Sequence, residues 1–340
     1  MKKIIIILVF LITVLTIWST DEGRVIPELV KPTGLAVDDT QLYVIEETTI
    51  KIFDLKSLKL ITTFGKKGSG PQEFDLVFGL IPITIDVQSD KIMVASNGKI
   101  SNWGKNGGFI DEMRYNPISG IAPQKLKDGR FIALSITAEN NVRKRIVVLC
   151  NKIMEREKTI YSVDDDFQSE GQGLKVLSKP FVFQVGNDKI YLPGEKDDEI
   201  DVFNLNLERL FTITVPDEKR SVSQTFKDQI IEELKTNPQT KSQFEILKPI
   251  KIPDQFPAYA NFLVTKGILY VITWNFGRDA GPLEYYKFDA DSGKALGKGN
   301  VKLVFETPLR PYSMTVNNGI LYQIIENDNE EWVLTQEPLK

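Results

Sequence analysis

Val264-Thr265-Lys266-Gly267-Ile268-Leu269-Tyr270-Val271-Ile272 returns 52 residues later as Val316-Asn317-Asn318-Gly319-Ile320-Leu321-Tyr322-Gln323-Ile324, with six of the nine positions unchanged. The unit is a polar turn feeding a short run of alternating apolar residues, the period-2 signature of a half-buried strand. Four weaker copies precede it: Thr40-Gln41-Leu42-Tyr43-Val44, Asp90-Lys91-Ile92-Met93-Val94, Asp128-Gly129-Arg130-Phe131-Ile132 and Asp188-Lys189-Ile190-Tyr191-Leu192. Taking Tyr43, Met93, Ile132, Tyr191, Tyr270 and Tyr322 as equivalent, the spacings are 50, 39, 59, 79 and 52 residues, a repeat near fifty with insertions.

Each copy is flanked in the same order. An apolar run such as Gly34-Leu35-Ala36-Val37 precedes it, and a strand ending in a bulky residue and a turn follows, as in Ile50-Lys51-Ile52-Phe53-Asp54 and Ile200-Asp201-Val202-Phe203-Asn204. A further strand follows that one, as in Leu58 to Phe64 and Glu208 to Val215. Four antiparallel strands per repeat make the blade of a β-propeller, whose two apolar faces are buried only when blades pack radially. The expected fold is therefore all-β, a six-bladed propeller over residues 24–340 with one helical insertion at 218–256. The last repeat lacks room for a fourth strand after Trp332-Val333-Leu334. Arg24-Val25-Ile26-Pro27-Glu28-Leu29-Val30 is expected to supply it and close the ring, with Pro27 suited to an edge.

Composition narrows the chemistry. The chain has 340 residues, 42 Lys and Arg against 46 Asp and Glu, and a net charge of −4. That balance offers no phosphate-tracking surface, so nucleic acid is not expected as a partner. There is no histidine, which removes Ser-His-Asp and Cys-His catalysis and HExxH zinc sites. Cys150 is the single cysteine and reads as a small buried hydrophobe.

Met1-Lys2-Lys3 followed by the uncharged run Ile4 to Trp18 has the pattern of an export signal in residues 1–20. Trp18 and Ile17 make a poor cleavage site, so membrane attachment through residues 4–18 is the alternative to cleavage. Either way, the chain is expected to be exported: periplasmic, extracellular or held on the outer side of the cytoplasmic membrane.

The first repeat, Pro32-Thr33-Gly34-Leu35-Ala36-Val37-Asp38 with Phe64-Gly65 and Gly68-Ser69-Gly70-Pro71-Gln72-Glu73-Phe74, resembles the NHL-type repeat of six-bladed propellers in the NHL and TolB-like superfamily. It departs at Glu46, where an aspartate is usual, and blades three to five lack the Gly-rich linker. The resemblance implies the fold and a choice of functions: protein-binding and sugar-binding modules, sensor domains, and calcium-dependent lactonases or esterases.

The loops between second and third strands carry Glu46, Asn97, Glu326 and the segment Trp274-Asn275-Phe276-Gly277-Arg278-Asp279. Trp274, Asn275, Arg278, Glu46, Asn97 and Glu326 are the candidate ligand-binding residues, because an aromatic beside amides and charges can stack on a sugar or anchor a peptide. Acids and amides also suit calcium, and equally suit plain β-turns. Expected is a non-enzymatic binding or scaffold module for a protein, peptide or glycan, with no cofactor and no catalytic residue. The alternative is a calcium-dependent hydrolase with its metal at the channel mouth.

Within the insertion, Val222, Phe226, Ile230 and Leu234 recur every four residues and predict one helix of about fourteen residues. Ser221 is the expected cap and Asn237-Pro238 the stop. Its stripe is expected to pack on the blade edges, with a lid over the channel mouth as the alternative. Asp289 to Lys294 reads as a hairpin turn, and Arg143-Lys144-Arg145 as the exposed edge of a strand in blade three.

Overall fold

The computed structural model describes residues 23–76, 83–168, 172–216, 218–274 and 282–340. Six four-stranded antiparallel sheets follow one another along the chain. Blade 1 is Pro32–Val37, Gln41–Glu46, Thr49–Asp54 and Leu60–Phe64; blade 2 is Thr84–Val87, Lys91–Ser96, Lys99–Gly104 and Phe109–Arg114. Blade 3 is Ile121–Lys125, Phe131–Glu139, Val142–Cys150 and Arg156–Asp164; blade 4 is Gln184–Gly186, Lys189–Pro193, Glu199–Asn204 and Arg209–Thr214. Blade 5 is Asn261–Thr265, Ile268–Ile272, Leu283–Asp289 and Ala295–Val301. Blade 6 is Met314–Asn317, Ile320–Glu326 and Trp332–Pro338, completed by Arg24–Val25.

Alternation along the second strands explains how blades bury both faces. In blade 2, Ile92 and Val94 join Tyr43, Ile52 and Trp103 in the cluster between blades 1 and 2. Met93 and Ala95, pointing the other way, join Phe131, Ile146 and Cys150 between blades 2 and 3. Four further clusters fill the remaining interfaces, so the core is a ring of six layers between blades. Cys150 is fully buried in one of them, and burial pushes its thiol up to about 11. The chain is a six-bladed β-propeller.

The ring closes where the sequence places the join. Arg24 pairs with Leu334 and Val25 with Val333, antiparallel to the last strand, and the Ile26 N–H donates to Trp332 O at 2.8 Å. Ile26 is fully buried between blades 6 and 1. Pro27 follows the pairing, where no N–H is needed. Arg24 reaches across to Leu55 O at 2.9 Å and Lys56 O at 2.6 Å in blade 1.

The Gly-rich connection from blade 1 to blade 2 is held by its aromatic end. Phe74 is fully buried against Phe64 and Trp103. Gly65 takes a φ of +83°, and a Cβ there would stand 2.3 Å from the Phe74 ring. Glu73 folds back onto the Gly70 N–H at 2.8 Å, and Lys99, buried beneath the loop, donates to Gly70 O at 2.8 Å and to Glu73 O. Burial pulls the Lys99 ammonium below the ordinary lysine range.

Three expectations change in detail. The helix α1, Gln224–Thr236, is capped by Ser223, whose side chain accepts from Phe226 N at 3.2 Å; Ser221 instead bridges to Gln255 in extended backbone. A second helix, α2, Phe244–Leu247, and a parallel pairing of Leu174–Lys175 with Ile250–Lys251 complete the insertion. Arg143-Lys144-Arg145 lies in the third strand of blade 3, inside the sheet and not at its edge. The pairing of that strand with Arg156–Asp164 brings the acidic run alongside, so Arg143 meets Asp165 at 2.6 Å and Arg145 meets Asp166 at 2.9 Å. The Asp289 turn is as expected, with Asp289 Oδ1 accepting from Ser292 N at 2.8 Å and Gly293 at a φ of +71°.

Candidate ligand-binding face

Strand alternation puts the turns between second and third strands on the same face as the connections between blades. The stripe of α1 (Phe226, Ile230, Leu234) is buried on this face, together with Val222 and Phe244 of the insertion and Leu177 of the preceding connection. Trp274 of blade 5 and Leu309 of the connection into blade 6 pack against the same cluster. The stripe thus meets loops from three parts of the ring, and the insertion forms a cap over part of the face with its own small core. Arg220 anchors the start of this cap on blade 5: its guanidinium bonds Glu284 at 2.8 Å, Thr273 Oγ1 at 2.9 Å and Trp274 O at 3.0 Å. Burial alone would raise the Glu284 carboxyl, but the bonds from Lys298, Tyr286 and Arg220 hold it below the ordinary range.

Beside the cap a cleft of about 1000 Å³ remains open. Blade 1 contributes Glu47 and Thr48, the N-terminal segment Val30 and Lys31, and the blade 1 to blade 2 connection Lys67 and Asp75. Glu306, Arg310 and Tyr312 come from the connection into blade 6, Glu326 and Trp332 from blade 6 itself, and Gln239 from the cap. Trp332 is fixed in the wall, its indole N–H donating to Val30 O at 2.9 Å and its ring set edge-on to Tyr312 at 6.2 Å. With its N–H engaged, the indole can offer a ligand only ring surface. Arg310 pairs with Glu306 at 2.9 Å, and Lys31 stands 4.0 Å from Glu47.

The six candidate residues separate in this geometry. Glu326 is exposed and lines the cleft. Asn97 is exposed in its turn, and its N–H donates at 3.3 Å to the carbonyl of Asp75, a cleft residue. Glu46 is turned away into structure: one oxygen accepts from the N–H groups of Val30 and Lys31, at 2.5 and 2.8 Å, and the other pairs with Lys51. Burial raises the Glu46 carboxyl, but these bonds outweigh it and keep it below its usual range. Trp274 stacks on Phe256 at 6.0 Å, as part of the cap cluster and not of the cleft. Asn275 and Arg278 lie outside the described residues.

The six candidates from the sequence do not include Glu47, Arg310, Tyr312 or Trp332. Trp332 had a signal, a tryptophan opening a strand directly after an acidic turn. The others depend on which loops meet. Among the described residues no three Asp, Glu or Cys side chains group closely enough to hold a metal ion.

No family model matches the chain, and no curated protein matches it. Solved structures do. A chain from Bacteroides fragilis NCTC 9343 named "Putative exported protein" is 14% identical, with 92% of each chain covered and a TM-score of 0.53. The Pan2 WD40 domain of Neurospora crassa is 9% identical at a TM-score of 0.41, covering 89% of this chain and 78% of that one. Kluyveromyces lactis Hsv2 is 11% identical at a TM-score of 0.40, covering 91% and 75%. At these identities the likeness concerns the fold.

Proposed function

We propose that this chain is an exported, non-enzymatic NHL-like propeller that binds a peptide or protein segment in the cleft between blades 6 and 1. The single observation that carries the reading is the composition of that cleft. Three cations (Lys31, Lys67, Arg310), four acids (Glu47, Asp75, Glu306, Glu326) and the Tyr312 and Trp332 rings line one cavity of about 1000 Å³. Mixed charges beside fixed aromatics suit a polypeptide carrying both signs, whose charges can exchange with the exposed Arg310–Glu306 and Lys31–Glu47 pairs, whereas a neutral glycan offers them no opposite charge. Export is supported by the signal pattern of residues 1–20, and the NHL-like assignment by the Phe74-anchored linker.

Peptide and glycan arrays probed with the labelled protein test this reading. Peptide hits should weaken at least about tenfold for Arg310→Glu and for Glu326→Lys, while melting temperature stays unchanged. Hits confined to glycans, or peptide hits indifferent to both reversals, would remove the cleft as a polypeptide site.

A further inference from the structure

The outer strands carry a repeated feature that ring packing does not use. In blade 1, Phe53 pairs with Leu60 and Ile52 with Thr62, so Ile61 is an extra residue in the ladder. Ile110, Leu210 and Leu296 are extra at the same place in blades 2, 4 and 5. Blade 3 has Glu157 there, and its aliphatic residue moves into the preceding turn, as Ile153. All five aliphatic side chains are between 46% and 58% exposed. They share one level of the ring, beside the turns between third and fourth strands, on the face opposite the cleft. A bulge alone is enough to discourage edge pairing and does not call for an exposed aliphatic side chain.

The chain enters the ring from that same end. Arg24–Val25 runs antiparallel to Trp332–Pro338, which descends from the cleft face, so Gly23, where the described residues begin, lies toward the opposite face beside Lys56 and Pro338. The uncharged run Ile4 to Trp18 is fifteen residues, or seventeen with Ser19 and Thr20, against about 17–25 for a bilayer span. Only Asp21 and Glu22 separate Thr20 from Gly23, and even from Trp18 the extended chain reaches about 17 Å at most.

We propose that the face opposite the cleft rests on a lipid bilayer, with Ile61, Ile110, Ile153, Leu210 and Leu296 as its contact rim and the cleft directed away. The short tether sets the distance, the direction of the first strand selects the face, and the rim supplies apolar area at the contact. The proposal rests on membrane attachment through residues 4–18 and is independent of what the cleft binds.

The test uses the full chain in phosphatidylcholine vesicles, in a Cys150→Ala background, with a polarity-sensitive fluorophore on Ile110→Cys, Leu210→Cys or, on the cleft face, Asn329→Cys. Flotation reports the anchor, and quenching by aqueous iodide reports the face. The expected result is flotation with the labels at 110 and 210 quenched several-fold less than the label at 329. Flotation with equal quenching at all three overturns the rim while leaving the anchor standing. Failure to float overturns both.

Discussion

Asp39 of blade 1 accepts a hydrogen bond from Lys266 of blade 5 at 2.8 Å, a contact that passes over blade 6 and joins residues 227 apart in sequence. The same carboxylate oxygen takes bonds from Asn318 at 2.9 Å and Asn317 at 3.2 Å, both in blade 6. One turn of the first blade thus ties together the three blades around the ring's seam. The bonds from Lys266, Asn317 and Asn318 hold the Asp39 carboxyl below its ordinary range.

That depression has a sign. A carboxylate whose folded pKa is lowered stabilises the fold above its unfolded pKa of about 4, and the contribution is lost as pH falls through the folded value. Hydrogen bonds lower Glu73, Asp54 and Asp289 in the same way. The melting temperature should therefore be flat from about pH 7 to pH 5 and fall below about pH 4. Asp39→Asn should show a shallower acid fall than the parent; an identical profile would show that the seam contact does not contribute.

Closure of the ring buries Ile26 beside the two strand pairs of Arg24 and Val25. Ile26→Ala removes a fully buried side chain between blades 6 and 1 and should cost about 2–5 kcal/mol in denaturant unfolding. Val30→Ala, at a residue 79% exposed, should stay within about 0.5 kcal/mol and serves as the control.

Gly65 cannot carry a side chain. With φ at +83° and the Phe74 ring 2.3 Å from a Cβ, Gly65→Ala must displace that ring or the backbone, and should destabilise by more than about 1 kcal/mol. Gly297 also has a positive φ, +145°, but nothing lies within 4 Å of its Cβ position. Gly297→Ala should therefore cost less, and equal losses at the two sites would assign the effect to backbone strain alone.

The cap should come loose without loss of the ring when Arg220 is truncated. Arg220→Ala breaks bonds to Glu284, Thr273 and Trp274, and hydrogen bonds of this charged type contribute about 1.5–3 kcal/mol each at most. Limited proteolysis should cut within 218–256 faster than in the parent while strand circular dichroism is unchanged. Protection equal to the parent's would place the hold on the apolar cluster instead.

Calcium is expected to leave the melting temperature unchanged at millimolar concentration. Glu46, an acid of the loops on the cleft face, has both oxygens engaged, by Lys51 and by two backbone N–H groups. A rise with added calcium would revive the hydrolase alternative.

The equivalence of Tyr43, Met93, Ile132, Tyr191, Tyr270 and Tyr322 could be read from the chain alone, and the ladders agree. These residues face Ala36, Asp86, Gln124, Gln184, Leu263 and Thr315 on the inner strands of their blades. The outer-strand role of Arg24 and Val25 was equally legible, since a repeat short of one strand must take it from the other end. Both readings rest on local physics: strand period, turn chemistry and the need of each apolar face for a neighbour. The cleft is different. Lys31, Lys67, Gln239, Arg310 and Trp332 meet there although they lie far apart in sequence. Glu46 and Glu47 are adjacent, yet one is turned into structure and the other lines the cleft. Packing between blades, together with the docking of the cap on Leu177, Trp274 and Leu309, decides which loops meet. That information lies in the relative placement of distant segments and appears in no local pattern.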